Sequence, residues 1–275
     1  MTQERMTPEP LELELLGTPV RIEASDDELR ARLSLVYGRS RGSPAGPRLT
    51  ALLARAGGSF RIAVDGRAER DEETPTEAVR ALNHELLQAL MGRARSHYFV
   101  HAAVVVWRGR ALVLPGLSRA GKSTVALALV LEGARYLSDE ILAFTRTGRA
   151  EPLPRAFKIR NECVPYFPEL AGRFAGEGEG RFLPFEALRA DVLAPPAPIG
   201  AIAVPSWSAE GRDRPERISR GGALLALAAA SLNFGAHREQ SLDWLATLVG
   251  ETAAFSLVWS DPRAAARALL AELGG

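Results

Sequence analysis

Gly116-Leu117-Ser118-Arg119-Ala120-Gly121-Lys122-Ser123-Thr124 carries the spacing G-x-x-x-x-G-K-[ST], whose parts each have a task toward an anion. Gly116 and Gly121 let backbone N–H groups turn inward. A helix beginning near Lys122 aims the positive end of its dipole at the same place. The Lys122 ammonium is placed to reach terminal phosphates, and the Ser123 hydroxyl to join the shell of a Mg²⁺ ion. Ser118, Arg119, Ala120 and Thr124 complete the candidate nucleotide-binding residues. A strand-to-helix turn that binds nothing would also use glycines here, so the flanking elements decide between the readings.

Those elements are in place. Ala111 to Pro115 reads as a buried strand and Val125 to Leu131 as a helix, stopped at Glu132-Gly133. Phe99 to Trp107 is a second apolar run, containing His101. With Arg108-Gly109 as its link, it predicts a β-hairpin with the loop strand. The sheet is therefore expected to be mixed. Tyr136-Leu137 predicts a short strand beside the loop strand, ending in Ser138-Asp139-Glu140. Acids at the C-terminal end of a strand sit where ligands bind in α/β sheets, and this adjacency would bring them to a metal and a γ-phosphate. Lysine supplies a further pointer. Of 34 basic residues only Lys122 and Lys158 are lysines, so each marks a place where a compact ammonium is wanted over a planar fork. Lys158 lies in an extended basic stretch, Pro152 to Arg160, with Arg155 and Arg160.

The elements upstream form a small α/β unit without a chemical motif. Leu11 to Leu16 and Val20 to Ile22 alternate as a strand or hairpin. Ser25 is the expected helix cap with Glu28 reaching back, and Leu29, Leu33 and Val36 follow at helical spacing. Gly42 to Pro47 reads as a loop. Leu49–Ala54 and Ser59–Val64 read as strands, Asp65-Gly66 as a turn and Asp71–Pro75 as an acidic turn. A helix from Thr76 carries Val79, Leu82, Leu86, Leu87, Leu90 and Met91 on one stripe, with His84 off it. Substrate presentation, assembly or simple packing would each suit this unit. Downstream, Gly172 to Arg181 reads as a glycine-rich mobile loop. Ile199–Val204, Arg217-Ile218 and Phe255–Trp259 read as strands. Gly222–Asn233, Glu239–Gly250 and a segment capped by Asp261-Pro262 read as helices. The division expected is residues 1–96 for the small unit and 97–275 for a phosphate-binding domain.

Composition narrows the class. A net charge of +1 gives no global field toward nucleic acid or membrane, and no apolar run approaches spanning length. One cysteine, Cys163, forbids an internal disulfide and suits a reducing compartment. A cytoplasmic location is expected. The oligomeric state is open, a homo-oligomer included.

His101-Ala102-Ala103, the hairpin, the loop from Gly116 to Thr124, Gly133-Ala134 and Ser138-Asp139-Glu140 follow one another in an order and spacing that resembles the HPr kinase/phosphorylase catalytic domain. That domain is similar in fold to phosphoenolpyruvate carboxykinase. The resemblance covers about residues 97 to 145. It implies an α/β, mixed-sheet P-loop kinase domain using ATP and Mg²⁺, with the small α/β unit before it. It also implies roles: Lys122 and the loop amides on the phosphates, Ser123 on Mg²⁺, Asp139 as base on an acceptor hydroxyl and Glu140 near the metal, these two being exchangeable. His101 would orient or tune the acids, or be a structural histidine at a strand start. Lys158 would neutralise the transferring phosphoryl group, or be an exposed loop cation. Two departures stand out. The family's Asp-Asp is Asp139-Glu140 here, and its Glu-x-Arg-Gly signature, tied to the phosphorylase reaction, has no clear counterpart. The resemblance thus implies a kinase acting on a hydroxyl of a peptide or protein, a serine or threonine, with a tailored precursor peptide among the candidates. A small-molecule kinase and a nucleotide-binding regulatory module without phosphotransfer are the competing readings.

Overall fold

A computed structural model describes residues 8–38, 48–176, 178–237 and 239–274. The Gly42–Pro47 loop and Glu177 of the glycine-rich segment lie outside these residues. Leucines alternating with glutamates build the first hairpin. In β1 (Leu11–Leu15) the leucines are buried and the acids face outward, and β2 (Thr18–Ala24) pairs antiparallel to it. Helix α1 (Asp27–Tyr37) then crosses to β3 (Leu49–Ala56), which runs parallel to β2. Strands β4 (Ser59–Val64) and β5 (Arg67–Glu72) complete a sheet in the order β1-β2-β3-β4-β5. Helix α2 (Pro75–Arg93) lies on it, burying Val79, Leu82, Leu86, Leu87 and Leu90.

Three local expectations are corrected here. The cap of α1 is Asp26, whose carboxylate accepts the Leu29 N–H at 3.0 Å, while Ser25 Oγ accepts the Arg55 N–H at 3.0 Å from the neighbouring strand. Glu28, freed from the cap, pairs with Arg32 and Arg55. The stretch taken as an acidic turn from Asp71 instead ends β5, because Asp71 finds Arg61 across the pair at 3.2 Å. That cross-strand partner offsets the poor strand preference of an acid. Accordingly α2 begins earlier, with Thr74 as cap and Pro75 at its first position.

The second sheet has the order β10-β9-β6-β7-β13-β15-β14. Its centre is the expected hairpin: β6 (Tyr98–Trp107) turns at Arg108-Gly109, both at positive φ, into β7 (Arg110–Pro115). After the loop 116–121 come α3 (Lys122–Leu131), β8 (Arg135–Ser138), β9 (Ile141–Phe144) and β10 (Arg149–Glu151). Strands β11 (Phe157–Arg160) and β12 (Gly180–Leu183) form a separate ribbon. Then follow β13 (Ala197–Trp207), β14 (Arg214–Arg217), α4 (Arg220–Ala229), α5 (Phe234–His237), α6 (Glu239–Gly250), β15 (Ala253–Trp259) and α7 (Pro262–Glu272). The sheet is mixed: β13 is parallel to β7 and β15 to β13, whereas β6 and β14 are antiparallel to their neighbours.

Alternation along the strands feeds two cores. Ala103, Val105, Leu112, Leu114 and Leu257 pack with α3 and α7, while Val104, Val113 and Ile202 pack with α4 and α6. The sheet is covered on both faces, which is why α3 is apolar nearly all round. The core of the N-terminal sheet also takes in Phe99, Ile141, Ala143 and Leu153, so the two sheets share apolar contacts.

Three features differ from expectation. Strand β8 pairs with β6, not with the loop strand β7, so β6 stands between them. The two are nonetheless oriented alike, since each is antiparallel to β6. The glycine-rich segment ends in β12, where Gly180 lies opposite Arg160, and Ala175 bonds Phe182 in both directions at 2.7 Å. Helix α4 stops at Ala229. The residues after it run along β6, with the His101 N–H donating to the Ala230 carbonyl at 2.7 Å and the Leu232 N–H to the Phe99 carbonyl at 2.9 Å. Among the described residues no helix is long and apolar enough to cross a membrane.

Candidate active site

The loop 116–121 hangs between β7 and α3. Gly121, the residue before the helix, sits at φ 86° in the left-handed region, and no side chain caps the first turn. The leading N–H groups of α3 are therefore left for another acceptor. Arg119 is also left-handed, at φ 71°, a strained setting for a non-glycine residue. Gly116 is tied back to the hairpin by its N–H on the His101 carbonyl at 3.4 Å, and the Ala120 N–H meets the Leu117 carbonyl at 3.3 Å. Ser118 and Arg119 are exposed, and Thr124 is buried.

Lys122 is only 7% exposed. Its ammonium donates to the Leu117 carbonyl at 2.9 Å, within its own loop. Burial pulls its pKa down to about 8, opposed by the charge of Asp139. A cation held dry beside uncapped helix amides gains strongly from an incoming anion.

Asp139 lies in the turn between β8 and β9. Its carboxylate faces the Ser123 side chain, which draws its pKa down, and Oδ2 accepts the Lys158 N–H at 3.3 Å. Its other oxygen, Oδ1, is buried without any partner. Loss of solvation pushes the carboxyl pKa up to about 7, against the opposing pull of Ser123, the Lys158 amide, Arg155 and Lys122. A buried carboxylate oxygen lacking a donor is costly unless a cation or a proton donor meets it there.

The neighbouring acid behaves differently. Glu140, expected near a metal, is half exposed and ion-pairs with Arg155, whose side chain is only 11% exposed. The two acids are thus not interchangeable, since it is Asp139 that touches the first turn of α3. Arg155 was noted in the sequence only as one charge in a basic stretch. It is a second sheltered cation of the site beside Lys122, and its influence reaches Asp139, His101 and Lys158. No spacing rule singles out a coil arginine of this kind.

His101 meets the acids through the backbone. Its Nδ1 stands 2.9 Å from the Glu140 carbonyl oxygen. A carbonyl only accepts, so Nδ1 carries the proton. Burial, then Lys122 and Arg155, lower its pKa to about 4, so the ring is neutral at physiological pH. Lys158 is placed otherwise than its expected role requires. Its amide reaches Asp139, but its side chain, though it reaches solvent at the surface, has Arg80 of α2, Glu179 and Arg155 as charged neighbours, and partial desolvation with the two arginines lowers its pKa. His84 is on the exposed side of α2, as read.

The sequence also passed over Trp259. Its Nε1–H points to the Ala120 carbonyl at 3.4 Å, and its ring lies against Gly121. Tyr166 meets that ring edge-on, with centroids 5.9 Å apart. Trp259 read as the end of a strand, and only the parallel pairing of β15 carries it to the loop.

Among the described residues no three His, Cys, Asp or Glu side chains converge as an all-protein cation cage. The donor set at the loop is instead the Ser123 hydroxyl and the orphaned Asp139 Oδ1. That set fits a hard divalent cation which takes its remaining ligands from phosphate and water.

No family model matches this chain, and no curated protein matches it. Among solved structures it is similar to the Hpr(Ser) kinase/phosphatase from Coxiella burnetii, with 12% identity, 64% of this chain and 99% of that chain covered, and a TM-score of 0.33. A likeness at that TM-score carries no argument about activity, so the functional reading stands on the residues above.

Proposed function

We propose that the chain is an ATP- and Mg²⁺-dependent kinase that transfers the γ-phosphoryl group to a hydroxyl, the acceptor being a serine or threonine of a peptide or protein. The observation that carries this reading is the partnerless buried Oδ1 of Asp139, held beside Ser123 and the uncapped start of α3. Simple nucleotide binding has no use for a desolvated carboxylate poised near 7. A base has.

The loop amides and Lys122 bind the phosphates and hold them in line with the acceptor. Mg²⁺, held by Ser123 with phosphate and water as its other ligands, would supply charge neutralisation on the phosphate oxygens and leave Asp139 Oδ1 to the acceptor. Asp139 takes the acceptor's proton as the acceptor oxygen bonds to the γ-phosphorus. The bond from that phosphorus to the bridging oxygen breaks, and ADP leaves with the electron pair. Neutral His101, anchored through Nδ1–H, fixes the Glu140 backbone and so the turn that carries Asp139. The acceptor class rests on the resemblance of residues 97–145.

The test is transfer of labelled γ-phosphate from ATP with Mg²⁺, using the full chain with cell extract or peptides encoded by neighbouring genes. The wild type should label an acceptor and Lys122→Ala should not. Equal labelling by Lys122→Ala would overturn the loop assignment.

A further inference from the structure

The N-terminal sheet carries no chemical motif, yet a line of matched donors and acceptors runs from it to the acids. On α2, Asn83 accepts the Tyr37 O–H at its Oδ1. The Arg155 charge also bears on the Tyr37 hydroxyl, drawing its pKa down against the upward push of burial. Arg155 then ion-pairs with Glu140, next in sequence to Asp139. The senses match: the amide oxygen accepts, the phenol donates to it, and the guanidinium, which only donates, meets a carboxylate.

The backbone reinforces the line. The Ala156 N–H donates to the Val36 carbonyl in the last turn of α1 at 2.9 Å, and the Arg155 carbonyl accepts the Tyr136 O–H at 2.7 Å. Arg155 is therefore pinned on both sides. Tyr37 is 1% exposed, and Leu29, Leu33 and Val36 seat its helix in the N-terminal core. A buried hydroxyl at this position costs desolvation that a phenylalanine would avoid, and its bond to Asn83 beside the Arg155 charge accounts for its presence.

We propose that Tyr37 and Arg155 are positioning residues of the phosphotransfer site, and that the N-terminal unit is a working part of it. Tyr37 fixes the guanidinium. The guanidinium holds Glu140 off the phosphate side and leaves Asp139 as the one acid facing Ser123. This rests on the kinase reading above.

The test compares Tyr37→Phe, Arg155→Ala and the double variant of the full chain. Tyr37→Phe should keep its nucleotide affinity within about twofold and lose about five- to tenfold in kcat, the scale of one ordinary hydrogen bond. The double variant should be no slower than Arg155→Ala alone, because both act through one contact line. Unchanged kcat in Tyr37→Phe, or losses that multiply, would overturn the proposal. A second readout needs no activity. The Arg155 Nε–H resonance should exchange slowly with solvent in the wild type and faster in Tyr37→Phe. Identical exchange in the two would sink the contact line. A wild type that labels no acceptor, with exchange behaving as expected, would instead sink the kinase reading.

Discussion

The indole of Trp259 fills the space that a Cβ on Gly121 would need, its ring carbons Cζ2 and Cε2 lying 2.2 and 2.6 Å from that point. The loop is thus seated on a fully buried ring at the C-terminal end of β15. Gly121→Ala adds both this clash and a left-handed alanine at φ 86°. It should cost about 1–3 kcal/mol of stability and weaken nucleotide binding about tenfold or more. Adding Trp259→Phe opens room for the methyl group and should recover part of the affinity. Thermal melts and nucleotide titrations of the two variants check this, and full affinity in Gly121→Ala would show that the ring does not brace the loop.

Asp139→Asn keeps the shape of the side chain and removes the base. Nucleotide binding should persist, while transfer falls about 100-fold or more. The same variant predicts a stability change. Burial holds the Asp139 pKa near 7 in the folded chain against the usual 3.8. Folding takes up a proton between those values, so the group's contribution to stability is whole below about 4 and fades as pH rises through about 7. At pH 8 the asparagine variant should therefore be the more stable by about 3–4 kcal/mol, and at pH 4 the two should melt alike. Urea titrations at both pH values read this without any acceptor.

The pH dependence of kcat/KM should be bell-shaped and narrow. Asp139 must be ionised to accept a proton, so the rate falls as pH drops below about 7. Lys122 must be charged to meet phosphate, so the rate also falls above about 8. His101, neutral above about 4, adds no limb in between. A flat profile from pH 6 to 9 would remove Asp139 from the role of base.

Lys158 contributes its amide to Asp139, and any residue other than proline has that amide. Lys158→Ala should hold kcat within about twofold, since an exposed cation contributes little. A much larger loss, measured in the same transfer assay, would return the ammonium to the site.

The local parts of this site could be read from residue order. The loop, the hairpin and the turn with Asp139 lie close together in sequence, and spacing and periodicity report such neighbours well. Ser25 misled because two candidate caps stand side by side, and the strand next door claimed the serine. The Asp71 stretch misled because local preference knows nothing of Arg61 across the sheet. Arg155, Tyr37 and Trp259 could not be found in the sequence, since each gains its place from packing between elements far apart in the chain. The asymmetry between Asp139 and Glu140 was hidden for the same reason, because it depends on where Arg155 is held.

The hairpin of β6 and β7 has one more consequence, for the order in which the site assembles. His101 and Glu140 meet across 39 residues, whereas Trp259 and Ala120 meet across 139. Loop closure grows with the logarithm of that separation, and the longer link costs about 1 kcal/mol more chain entropy. The loop before α3 and its acid can therefore come together while the chain is still growing, and the indole that stiffens the loop arrives only 139 residues after Ala120 has been made.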